Sequence, residues 1–474
     1  MQNTAVAQLF ARAAEHAADF RLALPKKKQR PDQTYAQALA SFEEPTPEAG
    51  TEAQIVLEDL VARATPGLHA MAGPRFFGWV IGNSHPMGVA ADFLTAAWGQ
   101  NVGNHTASPA GAACETVAAR WLLDMLDLPR EASVGFVTGA TIANFVGLAA
   151  ARSELLRRLG WDVEADGLFG APPIKVLIGA EAHTTVFSAL QFLGLGRNRV
   201  TKIPVDNQGA ILPDAFATAM RDAAQEPAVI VVTQAGQLNT GAFDPHAAII
   251  AAARQHKNAW VHVDGAFGLW ARACPMRAAL AAGADLADSW ATDAHKWLQT
   301  PYDCGFAIVR NAEAHRRAMT IAASYLPPVA AGERDPSHFV PELSRRARGF
   351  AAWSMLKHLG RDGIAAMVER HCRYAWMLAD RLRDEKGIAI LNDVVLNQVI
   401  VRFGADMTPE AGDAATAATI AAIQRDGTCF AGGAQWQGRM VMRLSVSGGS
   451  MGENDVLRSA DAMIKAWRGV HATA

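Results

Sequence analysis

The sequence predicts an α/β protein, with a mostly parallel sheet in a large domain and a smaller α+β domain at the C-terminal end. Three observations carry that reading. From about residue 115, short runs rich in Val and Ile alternate with helix-like segments, the texture of a parallel sheet covered on both faces. After about residue 340 the alternation gives way to long helical stretches with a few separate strands. The 474 residues exceed one small core and leave room for two or three compact units.

Residues 1–72 read as an N-terminal helical arm. Val6, Leu9, Phe10, Ala13 and Ala17 fall on one side of a helix in "MQNTAVAQLFARAAEHAADFRLAL". Arg12, Glu15 and Asp19 interrupt that stretch, so it lacks the apolar centre of a secretory signal. The charged, proline-containing "LPKKKQRPDQTY" and "FEEPTPEAGTEA" read as loops joining the arm to the body. Residues 73–340 form the expected large domain. Its helices include "CETVAARWLLDMLDL" and "IANFVGLAAARSELLRRLG"; its strands include "SVGFVT", "IKVLIGA", "AVIVVTQAG", "AWVHVDGA" and "CGFAIVR". Residues 341–474 form the smaller domain. There "SRRARGFAAWSMLKHLGRDGIAAMVERHCRYAWMLADRLRD" reads as helix, "VVLNQVIVRFG" and "GRMVMRLSVSG" as strands, and "ENDVLRSADAMIKAW" as the last helix.

Composition excludes several classes. The net charge of -2 gives no electrostatic case for nucleic acid. No apolar run reaches the roughly 18 residues of a membrane span. The five cysteines are scattered and form no CxxC pair, so neither a disulfide framework nor a zinc site is expected, and no metal. A reducing, cytoplasmic location follows as the expectation.

Four features sit at or just beyond strand ends, where open α/β sheets bind ligands. In "GFVTGATIANF" a strand leads through Gly139 into a helix that begins near Thr141. Such a turn is either a plain N-cap or an anion site, because exposed N–H groups and the helix dipole favour phosphate. In "IGAEAHTTVFSAL", His183 lies between a buried strand and a helix; its imidazole either hydrogen-bonds in the core or stacks on a flat ring. In "WVHVDGAFG", Asp264 ends an apolar strand, and a carboxylate there calls for a cation. Ala266, two residues on, leaves room for something flat. In "DSWATDAHKWLQTPYDCGF", Lys296 lies far enough beyond Asp264 for a helix and another strand. A lysine in apolar surroundings has a lowered pKa and can form a Schiff base with an aldehyde. The ordered set fits pyridoxal 5′-phosphate (PLP).

At these residues the sequence resembles the group II PLP-dependent amino acid decarboxylases, which include aromatic-L-amino-acid, glutamate and tyrosine decarboxylases. "FFGWVIGNSHPMGVAADFLTAAWGQN", "TASPAGAACETVAARWLLDMLDLP", "HVDGAFG", "DAHKWLQTPYDCG" and "ELSRRARGFAAWSMLKHLGRDG" carry the resemblance over most of the chain. It implies PLP fold type I, the aspartate aminotransferase-like arrangement, and a homodimer with its active site at the subunit boundary. It further implies that Lys296 carries PLP, His295 lies beside it, His183 stacks on the ring, Asp264 binds the ring nitrogen, Ala266 lies against the ring, and Ala140 and Thr141 hold the phosphate. Tyr325, in "AASYLPPVAAGERDPSHF", would donate the proton that replaces CO2. Trp79, Val80, Ile81, Val102 and Gly103 match the side-chain pocket of the aromatic decarboxylases. Being mostly apolar, they favour an aromatic or bulky apolar amino acid, although Arg345, Arg346 and Arg348 offer cations for a carboxylate. The sequence departs from the family at Gly236-Gln237-Leu238, where Asn239 is the substitute contact, and at Asp293, where many members have Asn and some related lyases Asp. The other readings are a PLP-dependent C–C lyase similar to sphingosine-phosphate lyases, an aldehyde-forming oxidative decarboxylase, and a non-catalytic binding protein.

Overall fold

The computed structural model describes residues 3–320 and 333–472. They form two compact units. The larger comprises Val80–Ala375 and Asn392–Gln398; the smaller comprises Met1–Trp79, Trp376–Leu391 and Val399–Ala474.

The larger unit is built on a seven-stranded sheet. In chain order its strands are β1 (Ser133–Val137), β2 (Ile174–Gly179), β3 (Val200–Ile203), β4 (Ala228–Gln234), β5 (Ala259–Asp264), β6 (Ser289–Asp293) and β7 (Gly305–Val309). Their order across the sheet is β1-β7-β6-β5-β4-β2-β3. The pairs β2–β3, β2–β4, β4–β5 and β5–β6 are parallel, whereas β7 runs antiparallel to both β1 and β6. Every residue of β4 is buried. Val229 and Val231 pack on one side of the sheet with Val261, Val263 and Phe306. Ile230 and Val232 pack on the other with Ile178, Trp260 and Val309. A strand that is apolar on both faces reads as a continuous run, which is why β4 is plain in the sequence.

One strand, one helix and one direction differ from the sequence reading. β3 is a short edge strand with two of four residues half-buried and Lys202 exposed. The stretch between Asp264 and Lys296 holds three short 3-10 turns rather than an α-helix, followed by β6. β7 is antiparallel because only residues 294–304 separate it from β6, too few for a helical crossover on top of the lysine turn.

In the smaller unit, β8 (Ile388–Ile390), β9 (Gln398–Phe403), β10 (Gly432–Trp436) and β11 (Arg439–Ser445) form a sheet of order β10-β11-β9-β8. The helices Pro409–Asp426 and Glu453–His471 pack together, and the first also lies on β11. The segment before Trp79 joins this unit: Phe77 N–H donates to Phe430 O, and Arg75 pairs with Asp455 at 2.9 Å. The N-terminal helix spans Asn3–Ala23, with Arg12 and His16 both bonded to Glu58. Val6, Leu9 and Ala13 are half-buried as the periodicity implies, but Phe10 and Ala17 are exposed. No residue of the helices Tyr35–Phe42 and Ala53–Ala64 is buried, and Leu39, Phe42, Ile55, Val56 and Leu60 face solvent. No described helix is long and apolar enough to cross a membrane.

Candidate active site

The lysine turn follows β6 directly. Residues Ala294–Leu298 make one wide π-type turn, closed by Gln299 in the left-handed region. Wide turns of this kind are rare and concentrate at functional sites. The Ala294 and His295 amides both donate to Cys304 O, and His295 Nδ1 lies 2.8 Å from the same oxygen. That contact requires the proton on Nδ1, leaving Nε2 as an acceptor in the neutral ring. Burial lowers the His295 pKa and keeps it neutral. Trp297 anchors the turn from below through Nε1–H to His371 Nδ1 at 2.9 Å.

A strained segment presses on this turn from the other side. Trp79 and Val80 have φ of 58° and 64°, an unusual conformation for any residue with a Cβ and an outlier for a β-branched one. Gly82 follows with φ 72°, and a Cβ there would lie 2.4 Å from Lys296 Cα and from His295 O. Only glycine allows that approach. Tyr302 Oη–H donates to Ile81 O at 2.7 Å, and its ring lies 4.4 Å from that of His295.

Asp264 ends β5, buried, in register with Ala291 of β6. Its carboxylate accepts one hydrogen bond among the described residues, a long 3.3 Å bond from Ala266 N–H. Burial raises its pKa, while the charges of His183 and Lys296 oppose that rise. A buried carboxylate so poorly bonded calls for a further cation. His183 is the N-cap of the helix Thr184–Phe192 and accepts from Thr185 N–H through Nδ1. Gln234 and Gln237 hold the loop before it through Glu181 O, at 3.2 and 3.5 Å. Gln237 also caps its own turn, accepting from the Asn239 and Thr240 amides.

The helix Ala140–Arg158 starts on Gly139, which has no side chain to cap it. The cap comes from Asp293, the last residue of β6, whose Oδ1 accepts from Ala140 N–H at 2.6 Å. Oδ2 of the same carboxylate lies 2.9 Å from Lys296 Nζ. Thr141 is half-buried in the first turn. Beneath this corner, His262 bonds Asn144 Oδ1 and Ser289 Oγ at 2.8 Å each, and Trp260 Nε1–H donates to the same Ser289. Burial pushes the His262 pKa down to about 3. This network pins the helix, β5 and β6 together; the sequence reading missed it because its polar residues are satisfied only across elements.

One unit therefore brings together Lys296, His295, Asp264, Ala266, His183, Ala140 and Asp293. Val102 and Gly103 are held by other neighbours. Val102 is wholly buried, with its N–H on Arg345 O and its O on Arg345 Nη1. A Cβ on Gly103 would lie 2.5 Å from Leu343 O. Val80 is buried in the core of the larger unit. Trp79 belongs to the smaller unit, where it meets His69, Phe76 and Phe430. The arginines are committed elsewhere. Arg345 pairs with Glu115 at 2.7 Å, Arg346 with Asp92 at 2.7 Å and Arg348 with Asp303 at 2.8 Å. Tyr325 lies outside the described residues.

A mostly parallel α/β sheet with a half-buried lysine, a buried carboxylate and a helix N-terminus at its strand ends could hold an aldehyde cofactor on that lysine. The pyridoxal-dependent decarboxylase conserved domain matches residues 35–403. The chain belongs to the pyridoxal-dependent decarboxylases, and is by family a PLP-dependent carboxy-lyase. It is 28% identical to tryptophan decarboxylase 1 of Oryza sativa subsp. japonica over 435 residues, covering 87% of this chain and 83% of that one. It is 26% identical to phenylacetaldehyde synthase of a Rosa hybrid cultivar over 349 residues, covering 71% and 67%. The crystal structure of Oryza sativa TDC with PLP and tryptamine superposes with a TM-score of 0.92 at 23% identity, over 99% of both chains. The fold is PLP fold type I.

Proposed function

We propose that the protein decarboxylates an L-amino acid with an aromatic or bulky apolar side chain, releasing the amine and CO2. Bound at Lys296, PLP supplies an electron sink for the pair left behind when a carboxylate departs. Lys296 would hold the cofactor through its amine. Asp264 would pair with the ring nitrogen and keep it protonated. His183 would cover the ring, Ala266 would leave space against it, and Ala140 and Thr141 would hold the phosphate, with the Ala140 amide released from Asp293 Oδ1. His295, neutral and fixed by Cys304 O, offers Nε2 beside the lysine. Tyr325 delivers the proton to Cα.

The observation that supports an apolar side chain over an acidic one is the commitment of Arg345, Arg346 and Arg348 to carboxylates of this chain. The proposed pocket combines Val80, Ile81, Val102 and Gly103 in a cytoplasmic homodimer, with the site completed at the subunit boundary. The exposed apolar side chains of the N-terminal helices support that assembly. The test is CO2 release across a panel of amino acids with the organic product identified. Tryptophan, tyrosine or phenylalanine should be turned over and glutamate should not; the reverse preference refutes the reading. The similarity to an aldehyde synthase favours one second reading, oxidative release of an aldehyde. Aldehyde, ammonia and peroxide in place of the amine would establish it.

A further inference from the structure

Asp293 is a buried carboxylate at the mouth of a helix. Oδ1 accepts from Ala140 N–H at 2.6 Å, and Oδ2 meets Lys296 Nζ at 2.9 Å. Its side chain is 3% exposed. The partial positive charge at a helix N-terminus favours an anion, and here an internal carboxylate already takes that place. The corner is cut close around it. A Cβ on Gly139 would lie 3.1 Å from Asp293 Oδ1, and one on Gly305 would lie 2.6 Å from Gly139 Cα. The backbone of Asp293 is fixed at both ends, its N–H on Ala266 O at 2.9 Å and its O on Trp270 Nε1–H at 3.0 Å. Rotation of the side chain is therefore the motion left to it.

We propose that Asp293 is a positioning residue that occupies the anion seat of the cofactor-free chain, tethers Lys296 there, and must yield that seat when a phosphorylated cofactor binds. The proposal rests on the PLP reading of the Lys296 site and deepens it. Two full negative charges cannot share one helix N-terminus without repulsion, so loading is coupled to turning this carboxylate away. An Asn at the same position would offer the phosphate a donor instead of a charge. The titratable groups facing Asp293 are Lys296 and His295 on its own turn, Asp264 from β5, and the Tyr302 phenol. The helix Ala140–Arg158 faces it with backbone amides.

The test uses cofactor-free full-length protein and reads binding by quenching of tryptophan fluorescence. The probes are 4′-deoxypyridoxine 5′-phosphate, which has the phosphate and no aldehyde, and pyridoxine, which has neither. Asp293→Asn should bind the phosphorylated probe at least tenfold more tightly than wild type at pH 8.5. Pyridoxine should bind both proteins equally. Equal affinity of both proteins for the phosphorylated probe overturns the proposal, as does an equal gain for pyridoxine. Failure of both probes with both proteins sinks the PLP reading itself. Asp293→Ser, which also removes the charge, guards against a folding defect peculiar to Asn and should reproduce the gain.

Discussion

Arg345 gives the sharpest test of how this chain treats its arginines. Its side chain is wholly buried, and its Nη1 lies 2.7 Å from Glu115 Oε1, itself 2% exposed. The same guanidinium donates to Val102 O at 2.9 Å and to Phe136 O at 2.7 Å, so it joins the segment around Val102 to β1. Arg345→Met leaves Glu115 as an unpaired buried charge, which costs about 3–5 kcal/mol. The two carbonyls lose a charged donor as well, at about 1–3 kcal/mol each, though such losses do not add. A destabilisation of about 3–5 kcal/mol is therefore expected, and Glu115→Leu should cost a similar amount. The double variant replaces the pair by apolar side chains and should recover most of the loss. Urea unfolding of PLP-saturated protein measures this, followed by both fluorescence and circular dichroism so that separate transitions are detected. If Arg345→Met unfolds at the wild-type urea concentration and instead raises KM for an acidic amino acid, the guanidinium serves substrate, and the case for an apolar pocket fails.

Lys296→Ala should abolish turnover and borohydride-fixed cofactor label on the peptide containing residue 296; label at another lysine would move the site. Tyr325→Phe should lower amine output and raise aldehyde and peroxide, and unchanged product ratios would remove Tyr325 from the chemistry. Gly82→Ala places a Cβ 2.4 Å from Lys296 Cα at a φ of 72°; left-handed strain of about 1–2 kcal/mol and overpacking of about 1–3 kcal/mol should lower the thermal midpoint and slow cofactor capture. His105 faces Asp335 Oδ1 at 2.6 Å and Glu333 Oε2 at 3.1 Å, and the hydrogen bond to Asp335 raises its pKa. A raised histidine stabilises fully below its unfolded pKa of about 6.5, and that contribution is lost as pH rises through the folded value. Hydrogen exchange at residues 333–338, corrected for intrinsic rate, should thus accelerate in wild type as pH rises through the raised His105 value; a pH-independent corrected rate would refute this contribution, and His105→Gln should show none of the acceleration.

The parts that were legible in the sequence share a physical cause. β4 and β5 are apolar on both faces, so burial prints itself as a run of Val and Ile. Lys296 and Asp264 stand out because a charge beside such runs needs a reason. β6 was harder to read because "SWATD" is wholly buried yet mostly polar. Its Ser289 is satisfied by Trp260 and His262, residues that only the fold brings near. β3 lies at the sheet edge, where burial leaves a weak pattern. The reversed direction of β7 depends on how little chain remains after the lysine turn, a spatial constraint rather than a local one. Strain at Trp79 and Val80 leaves no mark in residue type, since neither is a residue that favours positive φ.

Charge accounting links the two buried aspartates. Asp264 and Asp293 both act on Lys296, one through the field and one by direct contact. Asp293 already has an amide and an ammonium, whereas Asp264 has one long amide bond. The unmet demand thus sits at Asp264, where a ring cation would satisfy it, and the surplus sits at Asp293, where a phosphate would compete with it. A site with a deficit at one carboxylate and a surplus at the other favours a ligand that is cationic at its ring and anionic at its tail. That polarity explains why neutralising Asp293 should improve capture while neutralising Asp264 should weaken it.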